Sequence, residues 1–110
     1  TAIGAIEKAI INSNLGFAPM NNGENIILNV PPLTEERRRE LAKTAKVEAE
    51  ATKVTVRNAR QDGMKELKKQ DGVSEDLIKD VEARIQVLTD QYVKSCDDQL
   101  KVKEAEIMKV

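Results

Sequence analysis

The stretch LKKQDGVSEDL, residues 67–77, decides the fold. Asp71-Gly72 interrupts a helical pattern, and Ser74 follows with Glu75 and Asp76 behind it, a capping residue with negative charge in the first turn. One helix is therefore expected to end near Gln70 and another to start at Ser74. Upstream, Thr34 stands as N-cap before Glu35 and Glu36; downstream, the pattern continues to Met108. Each helix would be about 50 Å long at 1.5 Å per residue. Joined by so tight a turn, the two form a long antiparallel hairpin, and the fold class is mainly α.

Both helices carry a seam. On the second, Ile78, Val81, Ile85, Leu88, Tyr92, Cys96 and Leu100 recur at steps of three and four. On the first, placing residues at 100° intervals from Arg39 separates two faces. Leu41, Ala45, Ala49, Val56, Ala59 and Leu67 share a sector of about 80°, with Thr52 and Gly63 inside it, and form the expected packing face. Arg39, Lys43, Lys46, Lys53, Arg57 and Arg60 share a neighbouring sector of about 100°, interrupted only by Glu50. This cationic stripe is about 30 Å long. Residues 37–60 hold eight basic against three acidic side chains, whereas residues 61–110 hold nine against twelve. A net charge of -1 thus conceals a polarised chain.

The first 31 residues have a different grain. TAIGAIEKAIINSNLG places Ile3, Ile6, Ile10 and Ile11 at helical spacing and ends at Asn14 to Gly16, which predicts a short helix. FAPMNNGEN is turn material around Asn22-Gly23, and NIILNV, residues 25–30, predicts one strand without a visible partner. Pro31-Pro32 then makes a stiff joint. Two domains are expected: residues 1–31, a partial small β/α/β unit, and residues 32–110, the helical hairpin.

Composition removes several functions. The chain has no histidine, the commonest general base and metal ligand. Cys96 lies on the seam of the second helix, where a small core residue is the simplest account. Asp97 and Asp98 are adjacent on a helix, so their carboxylates point about 100° apart and cannot share a proton or an ion. NNGEN lacks the helix start and lysine of a phosphate-binding loop. No apolar run approaches the roughly 20 residues of a membrane span. No enzyme, cofactor, metal site or small-molecule substrate is expected.

The cationic stripe admits two readings. Its charges could pair with acids, but Glu50 is the only acid within it; pairing across the hairpin with Asp80, Glu82 or Asp90 stays open. Alternatively, a linear array of Lys and Arg suits the backbone of a nucleic acid. Phe17 and Tyr92 are the only aromatic residues and neither lies in the stripe, so stacking on splayed bases is not offered. The partner implied is a structured RNA or DNA read by shape. A protein-binding helical hairpin is the alternative.

EKAIINSNLGFAP (7–19), NVPPLTEERRRELAK (29–43), VRNAR (56–60) and the closing KEAEIMKV (103–110) resemble, in order and spacing, the C-terminal two-thirds of ribosome recycling factors. The resemblance implies an L-shaped protein, a three-helix bundle joined to a small β/α/β domain through two hinge segments, of which Pro31-Pro32 would be one. It implies a translation factor that binds the post-termination ribosome and, with elongation factor G and GTP, separates its subunits. Arg57 and Arg60 would contact large-subunit rRNA, as would Arg38 of EERR; Gln61 stands where many bacterial relatives have a second arginine. NIILNV and ARQDGMKEL resemble plastid or cyanobacterial members, which implies the chloroplast stroma, with the bacterial cytoplasm as the alternative. A bundle with only two helices would leave an apolar groove open, and the chain starts without methionine inside an amphipathic pattern; an incomplete chain is expected.

Overall fold

A computed structural model describes residues 2–110, which divide after Thr34 into two compact units. The first contains helix α1 (Ala2–Asn12) and strands β1 (Pro19–Asn21) and β2 (Ile26–Leu28). The helix ends where Asn14 (φ 53°) and Gly16 (φ 81°) enter the left-handed region, as the Asn14 to Gly16 stop predicts. The strands pair antiparallel in the register Pro19↔Leu28, Met20↔Ile27, Asn21↔Ile26.

The hairpin turn is built from asparagine side chains. Asn22 Oδ1 accepts from the amides of Glu24 (3.0 Å) and Asn25 (2.7 Å), and Asn21 Oδ1 accepts from Gly23 (2.8 Å). Gly23 takes φ 93°, a conformation open to glycine at no steric cost. The expected strand 25–30 is thus shorter, and it is not alone. Its partner lies inside the segment assigned to turn: a three-residue strand that starts with proline, whose missing amide is tolerated at a strand's first position. Asn21 Nδ2 also donates to Glu7 Oε2 on α1 (3.2 Å), tying sheet to helix.

The second unit is a hairpin of α2 (Glu35–Lys68) and α3 (Glu75–Met108). Gly72 adopts φ 74° in the connection, and Ser74, extended at φ -63° and ψ 149°, caps α3 by accepting from the Leu77 amide at 3.2 Å. At the far end Arg38 donates to the carbonyl of Ile107 (2.7 Å) and to that of Lys109, so the last turn of α3 lies beside the first turns of α2. Those carbonyls have no partner within the helix, and the guanidinium supplies one.

The line of contact differs from the expected faces. On α2 it follows Arg38, Leu41, Ala45, Ala49, Lys53, Val56, Arg60, Gly63 and Leu67, all buried or half-buried, whereas Thr52 and Ala59 are exposed. This line runs along the border between the apolar and cationic sectors. On α3 it follows Ile78, Val81, Ile85, Thr89, Val93, Cys96, Leu100 and Ile107; Leu88 and Tyr92, expected on the seam, are 52% and 62% exposed. Thr89, 8% exposed, satisfies its hydroxyl on the Ile85 carbonyl at 2.8 Å. Two helices touching along one line leave their apolar flanks uncovered. Val56, Ala59, Ile85, Leu88 and Tyr92 line one open hollow, Ala45, Ala49, Cys96 and Leu100 another, and no apolar side chain among the described residues is fully buried.

Candidate nucleic-acid interface

Helical periodicity carries the cations of α2 along one flank, and their surroundings sort them into two groups. Lys53 is the clearest departure from expectation. It was placed on the exposed stripe, but it is only 8% exposed and lies in the helix-helix seam. Its Nζ is 2.8 Å from Asp97 Oδ1 on α3 and 2.7 Å from Glu50 Oε1 one turn back. Hydrogen bonding to Asp97, then to Glu50, raises its pKa above the ordinary lysine value. The hydrogen bond from Lys53 in turn holds the Asp97 carboxyl below the usual range, with the charges of Lys101 and Arg57 acting in the same direction.

Arg38 is half-buried and occupied by the carbonyls at the end of α3. Arg39 pairs with Glu35 one turn earlier at 2.6 Å; both side chains are well exposed, so the pair is weak and exchangeable. Arg60 donates to Gln86 Oε1 of α3 at 3.2 Å and is half-buried. Lys43, Lys46 and Arg57 are exposed and make no ion pair among the described residues. Of the acids considered for pairing across the hairpin, Asp80 is held by Arg84 (3.1 Å) and Asp90 accepts from Gln86 (2.9 Å), both on α3 itself. Asp97 is the cross-hairpin acid instead, and its partner is Lys53.

Lys101 escaped the sequence reading. It lies on α3, and only the pairing of the helices brings its charge to Asp97. The flank therefore presents Lys43, Lys46 and Arg57 outward, with Arg60 at its inner edge and the Lys53 cluster neutralised beneath. Pro31 and Pro32 are exposed, in irregular backbone between β2 and α2. No group of His, Cys, Asp or Glu among the described residues is placed to hold a metal ion, and no helix there is long and apolar enough to cross a membrane. Such a surface can hold phosphates; it has no apparatus for bond making.

Comparison with known proteins gives the same direction. A family model described as "Ribosome recycling factor" matches residues 1–108. The chain is 57% identical over 108 residues to the ribosome-recycling factor of Flavobacterium johnsoniae, covering 96% of this chain and 58% of that protein. It is 59% identical over 107 residues to that of Flavobacterium psychrophilum, covering 96% and 57%. For that of Bacteroides thetaiotaomicron the identity is 56% over 108 residues, covering 96% and 58%. The chain thus spans just under three fifths of the length of these relatives. All three organisms are bacteria, so the expected plastid or cyanobacterial kinship finds no support. The chain belongs to the ribosome recycling factor family.

Proposed function

We propose that this chain is the rRNA-seating part of a bacterial translation factor that binds the post-termination ribosome and, with elongation factor G and GTP, promotes separation of the subunits. The observation that carries the reading is the row of exposed cations Lys43, Lys46 and Arg57 on one flank of α2. With Arg60 at its edge and Arg39 only weakly engaged, this flank meets phosphates of folded large-subunit rRNA. Lys53 and Arg38, expected among the contacts, hold the hairpin together instead. The protein works by binding and mechanical separation, not by catalysis, and a chain without histidine agrees with that. Its place of action is the bacterial cytoplasm.

Pro31-Pro32 acts as one of two hinge strands between the small domain and the bundle. The stiffness of consecutive prolines and the division of the chain near Thr34 support this role. The uncovered apolar side of the hairpin supports a third helix packing there in the complete bundle. The same open side favours a second reading, in which the hairpin is a protein-binding module. Co-sedimentation with vacant ribosomes separates the two. Arg57→Ala and Arg60→Ala should weaken binding if rRNA is the partner, whereas unchanged binding would leave the protein-binding module ahead.

A further inference from the structure

The cationic flank does not stop at Arg60. α2 is unbroken to Lys68, and residues 46, 57 and 68 follow one another at eleven-residue intervals. Eleven residues are three turns and about 20°, so Lys46, Arg57 and Lys68 lie almost in line, about 16 Å apart. All three are exposed, and none forms an ion pair among the described residues. Between Arg57 and Lys68 the strip carries Gln61 and Met64, without an acid. Lys68 lines one shallow open cleft together with Arg60, Gln61, Met64, Lys65 and, from α3, Glu82. Its neighbour Lys69, by contrast, is committed to Glu66 at 2.9 Å.

We propose that Lys46, Arg57 and Lys68 form a three-point ruler for the backbone of double-helical RNA, with Lys68 carrying the docking surface on to the tip of the hairpin. The proposal rests on the rRNA-seating reading above. Phosphates of one strand succeed each other every few ångströms along a duplex axis, far closer than these cations. Each cation therefore meets a separate passage of the backbone, as a rigid duplex presents and a pliable strand does not. The aromatic residues that a splayed strand would stack on are elsewhere: Phe17 in the first unit and Tyr92 beside Leu88 in the apolar hollow. Lys65 and Arg60 widen the lower contact, while Glu82 bounds the cleft and keeps the approach to one side.

The test is the salt dependence of binding of the intact protein to vacant ribosomes, with an RNA duplex and an unstructured RNA of equal charge as competitors. Lys46→Ala, Arg57→Ala and Lys68→Ala should each lower the slope of log K against log salt by about 0.7 to 0.9, a loss of about five- to eightfold at 0.1 M salt. Lys69→Ala should leave the slope unchanged, and the duplex should compete better than the strand. If Arg57→Ala lowers the slope and Lys68→Ala does not, the extension is wrong while the seating surface stands. If the unstructured strand competes equally well, the reading of duplex shape is wrong. If no substitution moves the slope, the seating surface fails and the ruler with it. Circular dichroism of each variant identifies any loss due to unfolding, and Lys68→Arg should restore the slope in a folded protein.

Discussion

Lys53 Nζ and Asp97 Oδ1 stand 2.8 Å apart across the seam of the hairpin, although 44 positions separate the two residues in sequence. A lysine in this seam is tolerated because two carboxylates meet it, and it fixes the register in which α2 and α3 lie side by side. The pair also removes one cation from the flank that would otherwise face RNA.

This pair predicts a pH dependence. Asp97 has its pKa lowered in the folded state, so its contribution to stability is complete above the ordinary carboxyl value of 3.8 and is lost as pH falls through the depressed folded value. Lys53 has its pKa raised, so its contribution is complete below 10.5 and is lost as pH rises through the elevated value. Thermal melts of the intact protein should be independent of this pair across the neutral range and lose midpoint at both extremes. Asp97→Asn should lower the neutral midpoint and flatten the acid limb. An Asp97→Asn protein with the native acid limb would mean that the pair contributes nothing.

Gly63 offers a gain in stability. It lies in the middle of α2, where glycine is disfavoured, and a Cβ there would sit 3.9 Å from Ile85 Cδ1, an ordinary contact. Gly63→Ala should raise stability by about 0.5–1 kcal/mol in denaturant titration. Gly63→Leu should lower it, because the added branches have to displace Ile85. A destabilised Gly63→Ala protein would show that the helices lie closer than the structure has them.

The cap at Ser74 predicts the opposite sign. Ser74→Ala removes the acceptor of the Leu77 amide and should cost about 1 kcal/mol, whereas Ser74→Asp should retain the stability. Hydrogen exchange should report the loss first at the amides of Asp76 and Leu77.

Arg38→Ala should release the carbonyls of Ile107 and Lys109, and amide exchange in the last turn of α3 should accelerate. Ribosome binding should change less than with Arg57→Ala, because Arg38 acts within the fold. The reverse order of effects would return Arg38 to the RNA surface.

Much of this architecture was legible in the chain because it is local. Gly72 and Ser74 are adjacent punctuation, and each does in the structure what its chemistry predicts. β1 was hidden because Pro19, Met20 and Asn21 carry little strand preference; the Asn22-Gly23 turn and the apolar β2 impose it on them. The position of Lys53 was hidden for a different reason. Placing residues at 100° intervals orders them around α2 but does not say which line faces α3, and that line is set by side chains such as Asp97 on another helix. The same uncertainty moved Leu88 and Tyr92 off the seam. Lys43, Lys46 and Arg57 kept their expected exposure because they lie farther round α2 from the line of contact.

The seating of this flank on rRNA is tested most directly by the salt slope of ribosome binding for Arg57→Ala beside Lys103→Ala, a lysine paired with Glu106 at 2.9 Å. Loss of about one unit of slope in the first and none in the second is the predicted result. Equal slopes in both variants and the native protein would contradict it.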